Sequence, residues 1–392
     1  MRFLLSLILM SFILTSVSKA QELKLDTISV QLPSLEKTEK YPLVADGPIK
    51  NVIFIIGDGT GLAQLYSGQL NLVGKDGRLV VQNMPVTGFS ITHAANRLVT
   101  DSAAGATAYS CGAKTNNGMI AYLPEGEHCR TVLELAEAQG KSTGLVATST
   151  ITHATPASYA AHIDARSKQP EIAEQYLNSG VEVFLGGGKE FFIPQSETNS
   201  SRKDDRNLID EFTANGYEFV ENATTLKASD SEKILGLFSP AGMPSENRTP
   251  TLAEMSQKAI DVLSTNENGF FLMIEGSQID WAGHDNNATY AMREVKDFDA
   301  AVKTALDFAV EDGETLVVVT ADHETGGMTL QYGNSSEEME IAWSTGYHTG
   351  VPVPVMAYGP HAVEFTGWHD NTEIGILVAQ LAGLGTLPQI IE

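Results

Sequence analysis

Six runs of consecutive, mostly apolar residues constrain the fold of this 392-residue chain more than any other feature. They are NVIFIIG from Asn51, STGLVATST from Ser142, VEVFLGGG from Val181, GFFLMIEG from Gly269, TLVVVTAD from Thr315 and VPVMAYGP from Val353. A strand with one wet face alternates apolar and polar residues, whereas a strand covered on both faces is apolar throughout. These runs are of the second kind. Between them lie stretches at helical spacing: TVLELAEAQG from Thr131 with its glycine stop, PEIAEQYLNSG from Pro170, TLAEMSQKAIDVLSTN from Thr251 and the long ATYAMREVKDFDAAVKTALDFAVEDG from Ala288. Strands alternating with helices predict an α/β fold, a large and mostly parallel central sheet flanked by helices on both faces.

The N-terminal MRFLLSLILMSFILTSVSKA has Arg2, an apolar run and small residues ending at Ala20. It reads as a secretory signal peptide over residues 1–20, its apolar run being short for a membrane span. Residues 21–47 are polar and lack a clear period, as expected of an extended N-terminal arm. Residues 48–392 are predicted to form a single α/β domain, with a loop-rich insertion near 195–250 where periodicity fades. The formal net charge of −24 argues against nucleic acid or an anionic membrane surface as a partner. An anionic substrate would then need cations built into its site. Cys111 and Cys129 would meet an oxidising compartment after export, where they can pair or remain separate thiols. The sequence leaves both open.

In a parallel sheet, ligands gather outside the carboxyl ends of the strands. Here the strand ends carry unusual residues. IIGDGTG ends in Asp58, FLMIEG in Glu275, and LVVVTADH in Asp322 and His323, while GLVATST leads to His153 and Thr155. EGSQIDWAGHDN adds Asp280 and His284, one helical turn apart and so on one face, and GYHTG adds His348 near a strand start. Any one of these alone reads most simply as a capping aspartate or a satisfied core histidine. The whole set at one sheet edge points to a metal centre. Carboxylates with imidazoles suit zinc, and an oxygen-rich set suits magnesium. LVTDSAAGATAYSCGAKT places Ser102 at the start of an Ala-rich helical segment. A serine there is ordinarily a cap, but the same helix end attracts anions, and a metal at the hydroxyl would make it a nucleophile. Arg166, in SYAAHIDARSK, is of a type usually found on the surface, and can clamp a tetrahedral oxyanion with two parallel bonds.

Six segments taken in order, IIGDGTG, VTDSAAGATAYSCGAKT, THATPASYAAHIDAR, MIEGSQIDWAGHDN, TADHETGG and HTGVPVPVMAYGPHA, give a sequence that resembles the alkaline phosphatases over residues 51–361. The resemblance implies hydrolysis of phosphate monoesters through a phosphoserine at Ser102, with Arg166 binding phosphate. It implies two zinc ions, one held by Asp280, His284 and His348, the other by Asp58, Asp322 and His323 with Ser102. A magnesium site would comprise Asp58, Thr155 and Glu275. His153 stands where some members carry aspartate and Trp281 where they carry lysine. His153 is therefore expected to admit zinc at the third site, and the uncharged Trp281 to weaken retention of phosphate; both are read as lining the substrate site. The signal peptide, with no second apolar stretch long enough to span a bilayer, implies an exported protein, periplasmic or secreted, without a membrane anchor, and the resemblance implies a homodimer, as is frequent in the family. Two other readings stay open, a phosphodiesterase on the same two-metal scaffold and an exported phosphate-binding protein without turnover. Ser102, Arg166 and Glu275 favour the monoesterase.

Overall fold

The computed structural model describes residues 24–29, 40–44, 46–333 and 338–391, and the expected signal peptide lies outside them. Ten strands form one sheet, in the spatial order Gly367–Asp370, Val86–Ile91, Val353–Tyr358, Thr315–Thr320, Asn51–Gly57, Phe270–Gly276, Ser142–Thr150, Val183–Gly187, Ile234–Leu237, Glu218–Val220. Each of the six apolar runs supplies one strand. Neighbours are parallel except around Val353–Tyr358, which runs against both Thr315–Thr320 and Val86–Ile91. That reversal matters for function. The start of an antiparallel strand lies at the edge where its parallel neighbours end, so His348, just before it, arrives at that edge, 3.5 Å from Asp280 and stacked on His323.

The central strands are buried along their whole length, as their composition requires. Val52, Phe54 and Ile56 point into one core and Ile53 and Ile55 into the other, following the two-residue period of a strand. Helices Ser102–Cys111, Val132–Ala138, Ala154–Ala160 and Asn371–Leu381 cover the first face. Helices Leu62–Val73, Leu252–Leu263 and Ala288–Asp312 cover the second. Their ends carry the expected signals. Thr131 and Thr251 form capping boxes with Glu134 and Glu254, and the long helix stops at Gly313, whose φ of 77° is left-handed.

The polar stretch 195–250 contains loops, the helices Leu208–Ala214 and Ala223–Ala228, and two strands that extend the sheet at its edge. With three and four residues, those strands are too short to show a period. Within the N-terminal arm, Lys24–Ser29 pairs antiparallel with Glu338–Trp343 in a small three-stranded sheet. Cys111 and Cys129 form a disulfide that ties the end of the Ser102 helix to the strand His128–Cys129.

One charged pair braces the segment that leads to Arg166. His162 faces the Ala121 carbonyl through Nδ1 at 3.1 Å and Glu134 Oε1 through Nε2 at 2.9 Å. Both partners are acceptors, so both ring nitrogens must carry hydrogen, and the ring is an imidazolium. Burial opposes that charge, but the hydrogen bond and charge of Glu134 outweigh it and raise the ring's pKa above the ordinary 6.5, against a smaller opposing push from Arg130. Glu134 is likewise opposed by burial and held below 4.5 by His162 and the Thr131 amide. His128 stacks on the ring at 5.3 Å and 12°, its own pKa lowered by burial and by His162. A raised histidine stabilises fully below 6.5 and ceases to do so as pH rises through its folded value. The lowered carboxylate loses its share as pH falls below 4.5 through its own folded value. Thermal melts should therefore show Glu134→Gln less stable than wild type by about 1–2 kcal/mol between those limits, with the gap closing at alkaline pH. A gap that widened at alkaline pH would contradict the pair.

Candidate active site

The carboxyl edge of the sheet brings together all twelve residues singled out from the sequence. Asp58 directly follows strand Asn51–Gly57. The next residue, Gly59, has φ 70°, and a Cβ there would lie 2.6 Å from the Asp280 Cα, so only glycine lets the two segments approach. Asp280 and His284 sit one turn apart on the helix Gln278–His284. Ser102 opens the helix Ser102–Cys111, but it is not the cap. Asp101 takes that role, accepting from the Ala104 amide at 3.1 Å, which leaves the serine hydroxyl free for chemistry. A Cβ at Gly105 would touch the Asp322 carbonyl at 3.0 Å, so this glycine lets the helix lie close against Asp322-His323.

Several buried polar atoms here, Asp58 Oδ1 and Oδ2, Asp322 Oδ2, Glu275 Oε1, Thr155 Oγ1 and His153 Nδ1, have no hydrogen-bond partner among the described residues. Burial, then the charges of Asp322, Asp280 and Glu275, push the Asp58 carboxyl well above the usual range. Burial likewise raises Glu275 to about 7, against the hydrogen bond from the Ser277 hydroxyl. Buried polar atoms are almost always partnered, and a cluster of buried acids without cations is costly.

The imidazoles sharpen the point. His348 Nδ1 meets the Thr100 carbonyl at 2.8 Å and His284 Nδ1 the Gly346 carbonyl at 2.9 Å, so each carries its proton there. Thr325 donates its hydroxyl hydrogen to Asp280 and can only accept from His323 Nδ1, 3.2 Å away. With Nδ1 as the donor, the neutral form of each ring turns its Nε2 lone pair inward, and burial, followed by the charge of His348, holds His323 in that form. His348 Nε2 lies 3.2 Å from His284 Nε2, and His323 Nε2 lies 3.2 Å from Asp322 Oδ2, 3.6 Å from Asp58 Oδ1 and 3.4 Å from Ser102 Oγ. Lone pair faces lone pair, an arrangement that bound cations resolve. Three groups have ligand atoms mutually within 4.8 Å: Asp280, His284 and His348; Asp58, Asp280 and His323; Asp58, His153 and Glu275. Asp280 therefore adjoins two groups, which its sequence position did not show, and Asp58 adjoins the second and third.

Arg166 extends toward this centre. Its Nη1 donates to Asp101 Oδ2 at 3.0 Å and its Nη2 to His153 Nε2 at 3.2 Å. A guanidinium has no acceptor, so His153 Nε2 is the lone-pair nitrogen and the proton sits on Nδ1. Burial and the Arg166 charge pull the His153 pKa down to about 3, so the ring is neutral. Trp281 stands edge-on to His153, ring centres 6.3 Å apart at 77°. The sequence assigned no role to Asp101, Thr325 or Thr100. Only Asp101 left a signal there, its place beside Ser102.

Such a centre, delivered to the carboxyl edge of a mostly parallel sheet with a free serine hydroxyl and a pinned guanidinium beside it, defines the class: a metal-dependent hydrolase of phosphate esters. The profile of the Alkaline phosphatase family matches residues 49–340 and 331–384. Alkaline phosphatase 3 of Bacillus subtilis (strain 168) is 38% identical over 412 residues, covering 83% of this chain and 87% of its own. The solved alkaline phosphatase of the Antarctic bacterium TAB5 is 38% identical, covering 87% of this chain and all of its own, with a TM-score of 0.80. A variant of that enzyme, with one histidine changed to aspartate and Mg bound in the M3 site, is 36% identical over 88% of this chain and all of its own, TM-score 0.78. The chain belongs to the alkaline phosphatase family and is a phosphatase. Among its described residues, no helix is long and apolar enough to cross a membrane.

Proposed function

We propose that the chain hydrolyses phosphate monoesters by two displacements through a phosphoserine at Ser102. The proposal rests chiefly on one observation, the Ser102 hydroxyl held 3.4 Å from an unprotonated His323 nitrogen amid orphaned carboxylate oxygens. Asp280, His284 and His348 would hold one zinc ion, Asp58, Asp322 and His323 a second, and Asp58, Thr155 and Glu275 a magnesium ion. Bound there, these ions neutralise the carboxylates, lower the proton affinity of hydroxyl groups and stabilise charge on attacking and leaving oxygens.

The chain's own residues do the rest. Ser102 Oγ, at the positive end of its helix, attacks phosphorus in line and the alcohol departs; water then cleaves phosphoserine and restores the hydroxyl. Arg166 binds the nonbridging oxygens. Asp101 fixes the guanidinium through Nη1, while an incoming phosphate oxygen can replace His153 at Nη2. His153 keeps its proton on Nδ1 while it accepts from Arg166, so it can donate toward the third site but can ligate there only by releasing Arg166. Magnesium, which takes oxygen ligands, fits that site better than zinc in this state. A variant of the related enzyme with one histidine changed to aspartate was solved with Mg bound in its M3 site, which supports the view that a histidine can bear on the ion taken at such a site. Residues 48–392 form the catalytic domain in this reading. The N-terminal sequence supports export to the periplasm or medium, and a homodimer is the expected assembly.

Hydrolysis of a chromogenic phosphate monoester and of the matching diester, before and after chelation, tests the reading. Monoester turnover should dominate, vanish with chelator, and return with zinc plus magnesium but not with magnesium alone. Preference for the diester would make the protein a phosphodiesterase, and full activity after chelation would remove the metals from the mechanism.

A further inference from the structure

The turn from Ser239 to Met243 lies in the polar stretch to which the sequence assigned no chemistry, yet it packs against the active site. A Cβ added at Gly242 would sit 2.3 Å from Trp281 Cη2 and 2.8 Å from Cζ3, so the backbone of this turn presses directly on the indole. No such contact leaves room for a methyl group.

The turn cannot retreat. The Gly188 amide donates to the carbonyls of Ser239 at 3.0 Å and Ala241 at 2.9 Å, and the Ser239 hydroxyl donates to the Gly242 carbonyl at 3.0 Å. The Met243 amide donates to the Thr148 carbonyl at 3.0 Å. Gln278 Nε2 then bridges the Met243 and Thr148 carbonyls at 2.6 and 2.8 Å, and Gln278 begins the helix that carries Trp281. Turn, strand end and helix are one hydrogen-bonded unit. The same indole meets His153 edge-on, and His153 Nε2 accepts from Arg166 Nη2.

We propose that Gly242 is a positioning residue for phosphate binding: its missing side chain sets how deep the Trp281 indole sits, and through Trp281 and His153 it sets the attitude of the Arg166 fork. The inference rests on the proposed role of Arg166 and Trp281 in binding phosphate. Residues outside direct contact can matter in this way because small misplacements of reacting groups are expensive.

The test is a double-mutant cycle of Gly242→Ala and Trp281→Phe, read by kcat, KM and inhibition by inorganic phosphate, with tryptophan fluorescence alongside. Gly242→Ala should lower kcat/KM by about tenfold, weaken phosphate inhibition in proportion and shift the indole emission. Phenylalanine lacks the atoms that clash, so Gly242→Ala should be nearly silent in the Trp281→Phe background, and the double variant should fold even if the single one does not. An equal loss in both backgrounds, or an unchanged emission with unchanged phosphate inhibition, would overturn the proposal. If Gly242→Ala shifts the emission while neither single substitution alters phosphate inhibition, the contact stands, and the substrate-binding reading of Trp281 is what fails.

Discussion

Ser102→Ala is expected to lower monoester turnover by about 10⁴- to 10⁶-fold while leaving the fold and the metal content in place. The size of the loss follows from the role: a nucleophile that forms the covalent intermediate has no substitute except direct attack by water. The survival of the fold follows from the structure. Ser102 is 1% exposed, but its hydroxyl caps nothing, because Asp101 does so, and alanine is the better helix former. Stability should change by less than about 1 kcal/mol. Quenching wild-type turnover of a labelled monoester in acid, then mapping the label, provides the direct check. Label on a residue other than Ser102 would sink the assignment, as would an alanine variant that turned over at the wild-type rate.

What the sequence showed and what it hid divide along a physical line. Periodicity reports neighbours two to four positions apart, so strands buried on both faces, such as Asn51–Gly57, and the amphipathic helix Ala288–Asp312 stand out. The reversed direction of Val353–Tyr358 does not, because a buried strand has the same composition either way; only pairing reveals it. Within the site, the ligand types at the strand ends were legible from Asp58, Glu275 and Asp322-His323. Their supports were not. Asp101 holds Arg166 across 65 positions, Thr100 fixes the His348 tautomer across 248, and no local pattern encodes either bond. The Asp101-Ser102 pair shows the limit of local reading in miniature. Either residue suits a helix N-cap, and the choice of Asp101 is made by the Gly118 amide and Arg166, which both bind the same carboxylate.

Asp58→Asn should have effects of opposite sign with and without metal, and this contrast separates a metal centre from a structural acid cluster. In the metal-free chain Asp58 is fully buried, its two oxygens lack partners, and it faces Asp322, Asp280 and Glu275. Burial and those charges raise its folded pKa above the ordinary 3.8. The unfolded chain therefore releases this proton first, and the metal-free protein loses stability as pH rises through the interval above 3.8. Asparagine has no charge to lose. The substitution should stabilise the metal-free protein at neutral pH by about 1–3 kcal/mol, with little gain near pH 3.8. Loaded with zinc and magnesium, the same variant lacks the carboxylate that adjoins two of the three ligand groups. Its metal-dependent rise in melting temperature should shrink, and monoester turnover should fall by about 10³-fold or more. Melts of wild type and variant in chelator and in added zinc plus magnesium give all four corners. A variant less stable than wild type in chelator would show that Asp58 is satisfied without metal. One that kept the full increment with metal would show that Asp58 is not a ligand.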